Sequence, residues 1–253
     1  MGGALASAAA KSGNQVFVSD ACAQKAEALA AEISGAAVST AEIIADCDMI
    51  FLGVKPQVLP ALAEEIKSAL AERKGGFCLV SMAAGIKLEK LTALLGDVKI
   101  IRIMPNTPAA VGSGVILYAL GSKADSEDET LLCEALSGAG SLNKLDEKLI
   151  DAATAVSGCG PAFVYMFIEA LADGGVKCGL PRDKAQAFAA ETLIGAAKLC
   201  LESGKHPGAL KDAVCSPGGT TIEGVHALET GAFRATAASA VLAAYEKTLK
   251  LTK

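Results

Sequence analysis

The chain has 253 residues, 52% of them apolar and 20% charged, with a net charge of -5. This is the profile of a soluble globular protein with a real core, long enough for one large domain or two ordinary ones. The acidic balance counts against a nucleic-acid partner, and no Lys/Arg run suggests attraction to an anionic membrane surface.

Taken in chain order, Gly2 to Ser12 reads as a helix and Gln15 to Ser19 as a short strand. Ala21 to Ile33 carries apolar residues at helical spacing, with Lys25 and Glu27 on the wet side. Met49 to Val54 is a continuous apolar run, as expected of a parallel strand covered on both faces. A long helix-like stretch runs from Pro56 to Arg73, and Phe77 to Ser81, Lys99 to Met104 and Val115 to Leu120 read as strands. This alternation predicts an α/β class protein, with a doubly wound Rossmann-like sheet over residues 1–145. From residue 146 onward the strand signals stop. Ala- and Leu-rich helical periodicity follows, broken at Gly158-Cys159-Gly160-Pro161, Gly174-Gly175, Gly179-Leu180-Pro181, His206-Pro207 and Ser216-Pro217-Gly218-Gly219. Residues 146–253 are therefore expected to form an all-helical domain. Stretches such as Ala187 to Leu201 and Ala235 to Tyr245 are apolar nearly all round, which predicts a dimer with a large apolar interface. A monomer with a tight Ala-rich core is the plainer alternative.

The eight cysteines are far apart and form no C-x-x-C pair, so reduced thiols and a cytoplasmic protein are expected. With only two histidines, no metal site is expected. No signal peptide is visible, and the longest uncharged run, Ile103 to Ser122, is interrupted by Pro105, Pro108, Gly112 and Gly114, so no membrane partner is expected.

A dinucleotide fold normally opens with a strand, then G-x-G-x-x-G, then a helix. Here the helix comes first. Asp20 lies eighteen residues after Gly2, close to the spacing at which an acidic residue meets the cofactor ribose. Gly2 then corresponds to the third glycine of the fingerprint, and the first strand and first two glycines are expected upstream of Met1. The bland alternative is a commonplace terminal Gly-Gly, with Asp20 as a helix N-cap.

Four later segments sharpen this reading: Gly53-Val54-Lys55-Pro56-Gln57, Arg102-Ile103-Met104-Pro105-Asn106-Thr107-Pro108, Thr154-Ala155-Val156-Ser157-Gly158-Cys159-Gly160-Pro161-Ala162 and Ser216-Pro217-Gly218-Gly219-Thr220-Thr221-Ile222. In this order and spacing the chain resembles pyrroline-5-carboxylate reductases over essentially its whole length. The resemblance implies reduction of 1-pyrroline-5-carboxylate to L-proline, the last step of proline biosynthesis, by a homodimer or a higher oligomer built from dimers. It implies NADPH as cofactor, with NADH also usable. Ser19 is followed by Asp20 with no Arg, and Asp20 would repel a 2'-phosphate. The implied cofactor contacts are Gly2, Ser19, Asp20, Gly53, Val54, Lys55, Pro56, Met82, Ala83, Ala84, Asn106 and Glu147. The implied substrate contacts are Ser157, Gly218, Gly219, Thr220 and Thr221, with the Thr221 hydroxyl near the ring nitrogen as the candidate catalytic group.

Each residue also has a plainer reading. Lys55 is a solvated lysine before a proline, Met82-Ala83-Ala84-Gly85 a strand-to-helix turn, Asn106 a turn former and Glu147 a surface helix residue. The Thr pair is equally an N-cap. Cys159 stands where the family usually has Ser, and nothing nearby in sequence would make it a nucleophile. Two rivals remain in view. One is a β-hydroxyacid dehydrogenase, which would need a lysine acid such as Lys177 or Lys184. The other is an inactive dimer whose sheet has a gap where the first strand should lie.

Overall fold

The structure, a computed structural model, describes residues 1–251. The chain divides into two compact units: Met1–Cys159 together with the chain from Ala244 onward, and Gly160–Ala243. The first unit opens with α1 (Gly2–Lys11), β1 (Phe17–Val18), α2 (Ala23–Ile33), β2 (Ala36–Ala37) and α3 (Thr40–Asp46). It continues with β3 (Met49–Leu52), α4 (Leu59–Glu72), β4 (Cys78–Ser81), α5 (Leu88–Leu95) and β5 (Ile100–Met104). A short 3-10 turn, Thr107–Val111, leads to β6 (Gly114–Leu120), α6 (Ser126–Ala135), β7 (Gly140–Lys144) and α7 (Glu147–Ser157).

The apolar strands have period two, and both faces are covered. Cys78, Val80, Ile101 and Ile103 point into one core with Leu5 and Ala8 of α1 and Leu132 of α6. Ile50, Leu52, Leu79 and Ile100 point into the other with Ile44, Leu59, Ala63, Ile66, Leu70, Leu91 and Leu95 from α3, α4 and α5. Helices on both faces make the sheet doubly wound, as the continuous apolar runs predict. Burial also decides the chemistry of Cys78: desolvation pushes its thiol up to about 12, so it behaves as a small core residue.

The strands form two separate sheets. β3-β4-β5-β6-β7 are hydrogen-bonded in that order, and β1 and β2 make a parallel pair of their own. β3 to β5 run parallel, β6 pairs antiparallel to β5 and β7 parallel to β6. Among the described residues, β1 and β3 each have one edge without a strand partner.

Several boundaries differ from those read in the sequence. The first strand pairs only at Phe17 and Val18. Pro56 opens a turn, and the helix after it starts at Leu59 with Pro60 in its first turn, where a missing N–H costs nothing. β2 and β7 were not legible as strands: Ala-Ala and Gly-Ser-Leu-Asn-Lys have weak β propensity and are strands only because neighbours pair with them.

The second unit holds α8 (Gly160–Lys177), α9 (Arg182–Ser203), α10 (Pro207–Ala213), α11 (Thr220–Thr230) and the start of α12 (Phe233–Leu251). α8 and α9 are joined at Gly179, whose φ of +100° only glycine tolerates readily. They pack through small residues: Ala172, Ala185 and Ala189 are its buried core, with Ile168 and Val176 against them. A side chain at Gly175 would crowd Leu180 and Ala185 at 3.2 and 3.3 Å. Large apolar side chains instead stand exposed in the single chain, with Met166, Ile194 and Leu201 at 70, 68 and 84%. The stretch Glu147–Lys177 is long and apolar enough, by length and composition, to cross a membrane. Its first part nevertheless buries Ile150 and Ala155 in the first unit and carries the paired acids Glu147 and Asp151.

Candidate active site

Parallel sheets of this kind bind ligands beyond the carboxyl ends of their strands. The candidate cofactor residues of the first unit sit there or at the start of α1, except Glu147, which begins α7 after β7, a strand that runs opposite to β3–β5. α1 begins at Gly2 with no side-chain cap and no acidic residue in its first turn. Its leading N–H groups and positive dipole end are thus available to an anion. A Cβ on Gly2 would lie 3.8 Å from the Gly53 Cα, and one on Gly53 would lie 3.7 Å from the Gly2 Cα. The helix start and the β3 loop thus approach backbone to backbone, a cradle that two side chains would fill. This fits a pyrophosphate. Lys55 is exposed beside it, while its carbonyl accepts from Val58 N and Leu59 N and starts the turn into α4.

After β1, the Ser19 hydroxyl lies 3.1 Å from that of Thr40. The Asp20 carboxylate accepts from Cys22 N at 2.9 Å. After β4, Ala83 is buried, Ala84 is exposed and Gly85 turns the chain with φ +76°. Small side chains leave the backbone of this loop open to a flat ring.

Two expected cofactor residues are engaged within the protein. Asn106 is 7% exposed; its Nδ2 donates to the Ser157 carbonyl at 2.8 Å and its Oδ1 accepts from Val115 N at 2.9 Å. Glu147 Oε1 accepts from Leu88 N at 2.7 Å, the first N–H of α5, and from Arg102 at 3.0 Å. Arg102 is 2% exposed and also donates to Asp151 at 3.1 Å. A buried guanidinium between two carboxylates is the arrangement that a charge in a core demands. An arginine in the middle of the apolar run Ile100–Met104 was the available signal: a buried charge needs partners on whatever packs over it. Thr40 beside Ser19 carried no such signal.

The remaining candidates belong to the second unit, except Ser157, which ends α7 and donates its hydroxyl to Ala153 O at 3.0 Å. Gly218 has φ +65°, and a Cβ on Gly219 would meet Ser216 Oγ at 2.3 Å. The left-handed φ of Gly218 favours glycine, and Gly219 packs closely on Ser216. The turn delivers the chain to α11, whose N-cap, Gly219, provides no side-chain acceptor. The first N–H groups of Thr220 and Thr221 face outward with both side chains exposed. Such an end binds a carboxylate.

The doubly wound sheet, the uncapped α1 start against Gly53 and the small-residue loop after β4 define a dinucleotide-dependent oxidoreductase fold. Residues 1–85 match the family described as NADP oxidoreductase, coenzyme F420-dependent, and residues 147–251 match pyrroline-5-carboxylate reductase dimerisation. The pyrroline-5-carboxylate reductase of Arabidopsis thaliana is 48% identical over 212 residues, covering 84% of this chain and 76% of that protein. The Plasmodium falciparum pyrroline carboxylate reductase with NADP bound superposes with a TM-score of 0.87 at 33% identity, over 100% of this chain and 95% of that one. The Coxiella burnetii pyrroline-5-carboxylate reductase gives 0.89 at 27% identity, over 100% and 96%. The chain belongs to the pyrroline-5-carboxylate reductase family.

Proposed function

We propose that this chain reduces 1-pyrroline-5-carboxylate to L-proline at the expense of a reduced nicotinamide dinucleotide, NADPH first and NADH also. The observation that carries the reading is the start of α11, where the turn at Gly218 and Gly219 leaves the first helical N–H groups, those of Thr220 and Thr221, without a side-chain cap and suited to a small carboxylate. Gly219, Thr220 and Thr221 bind the substrate carboxylate, and Ser157 contributes from the end of α7. Gly2, Gly53, Val54, Lys55 and Pro56 hold the dinucleotide phosphates, Ser19 and Asp20 its adenosine ribose, and Met82, Ala83 and Ala84 the ring end.

When bound, the reduced nicotinamide supplies a hydride to the carbon of the C=N bond. A protonated cyclic imine is already electrophilic, so the protein needs positioning and electrostatics more than a strong acid. Thr221 orients the ring nitrogen through its hydroxyl. The exposed apolar side chains of α8, α9 and α12 are covered by a second copy, so the working unit is a homodimer or an assembly of dimers. Eight free cysteines suit a reducing cytoplasm.

The test is oxidation of NADPH and NADH by the purified chain with pyrroline-5-carboxylate, beside a 3-hydroxyacid with the oxidised coenzymes. Turnover of the imine alone is expected, and Thr221→Val should lower kcat by about a hundredfold, the low end of the range for a lost proton-handling group. Turnover of the hydroxyacid, or wild-type activity in Thr221→Val, would overturn the respective assignments.

A further inference from the structure

We propose that Asn106 is a positioning residue for the reduction and not a ligand of the dinucleotide. Its carboxamide clasps the last carbonyl of α7 to the start of β6 and so fixes Ser157 beside the carboxyl edge of the sheet. The orientation of the amide is set by its partners. Oδ1 accepts from Val115 N and Nδ2 donates to Ser157 O, whereas the flipped amide would oppose donor to donor and acceptor to acceptor. At 7% exposure the side chain has little surface left for a ligand.

Ser157 needs such a partner. It is the last residue of α7, and the final carbonyls of a helix have no acceptor role inside it. The next two N–H groups, of Gly158 and Cys159, both return to the Thr154 carbonyl and leave that of Ser157 to Asn106. A Cβ on Gly158 would lie 2.9 Å from both Thr154 Cγ2 and Thr154 O, so the turn is packed against α7 on that side. Thr154 is itself held, donating its hydroxyl to Ile150 O at 2.6 Å.

The clasp is not what holds α7 to the sheet. Arg102 grips its first turns through Glu147 and Asp151, and Ile150 and Ala155 are fully buried. Asn106 sits only four residues beyond Arg102 and acts at the other end of the helix. What it adds is the placement of the last turn, where the hydroxyl and carbonyl of Ser157 lie. A displacement of about 1 Å there is enough to cost on the order of a hundredfold in rate.

This inference rests on the proposed reductase activity, so wild type is assayed in parallel. Asn106→Asp is nearly isosteric: it keeps an acceptor for Val115 N and sets an oxygen against the Ser157 carbonyl. Asn106→Ala removes both bonds. Folding is followed by circular dichroism, dinucleotide binding by NADPH fluorescence, and kcat and KM with pyrroline-5-carboxylate. Both variants should fold and bind NADPH within about threefold of wild type, with kcat lowered about a hundredfold. Three results overturn the proposal: kcat near wild type in a folded variant, weakening of NADPH binding that accounts for the whole loss, or failure of both variants to fold. No turnover by wild type would instead count against the reductase reading.

Discussion

Removing Glu147 tests whether its carboxylate holds the protein together or meets the cofactor. Its Oε1 serves two donors, Leu88 N at 2.7 Å and Arg102 at 3.0 Å. Breaking a buried ion pair costs about 3–5 kcal/mol. Here Asp151 still pairs with Arg102, and the Glu147 side chain is 25% exposed, so water can partly replace it. About 2 kcal/mol is the fair share for the pair, and about 1 kcal/mol more for the orphaned N–H at the start of α5. Glu147→Ala should therefore lose about 3 kcal/mol, which lowers Tm by about 6–12 °C in a protein of this size. Glu147→Gln retains an acceptor and should lose less than half of that. The protein has no tryptophan, so far-UV circular dichroism at fixed concentration is the suitable probe. A Tm within about 2 °C of wild type, together with tenfold weaker NADPH binding, would refute the reasoning and return Glu147 to the cofactor.

Two further substitutions probe the frame around the site. Gly140 has φ +135°, and a Cβ there would lie 2.1 Å from Gly114 O, so Gly140→Ala must part β7 from β6. A loss of about 2–3 kcal/mol and about 4–12 °C in Tm is expected, and an unchanged melting curve would contradict the close strand approach. Asp125 caps α6 and accepts from Lys99 at 2.7 Å; chiefly that bond, with help from the Asp128 N–H, holds its carboxyl down at about 2. A depressed carboxyl stabilises the fold fully above its ordinary value of 3.8 and loses that contribution as pH falls toward about 2. The Tm difference between wild type and Asp125→Asn should be flat above about pH 5 and begin to close below about pH 4; a gap that widens on acidification would reverse the sign.

The architecture was legible where burial is two-sided. Met49 to Leu52 and Cys78 to Val80 are apolar without interruption, and Ile100 to Met104 is broken only by Arg102, because helices cover both faces; each reads as a strand. The rest depended on pairing between distant segments. Ala36–Ala37 and Gly140–Lys144 are strands by virtue of β1 and β6, and no local pattern announces that. The site was legible as segments rather than as contacts. Gly2 and Gly53 were both singled out, but their mutual approach is a fact of the fold. Asn106 and Glu147 are expected at the cofactor, and in the structure their polar atoms bond to Ser157 and Val115, and to Arg102 and Leu88. A one-dimensional reading does not reveal which backbone groups already claim a polar side chain.

The separate β1–β2 pair bears on how the site moves. Two residue pairs are a small cooperative unit, and among the described residues no hydrogen-bonded ladder joins it to the larger sheet. Such a ribbon opens at a lower free energy than the five-stranded sheet. Ser19, Asp20 and Thr40 ride on it, so in the proposed cofactor site the end that meets the adenosine ribose is the looser one. Ordering that ribbon draws on the binding free energy of the dinucleotide. The amides of Phe17 to Thr40 should consequently exchange with solvent fast in the free protein and slow when the dinucleotide binds, while Leu79 and Ile101 in the central strands stay protected throughout.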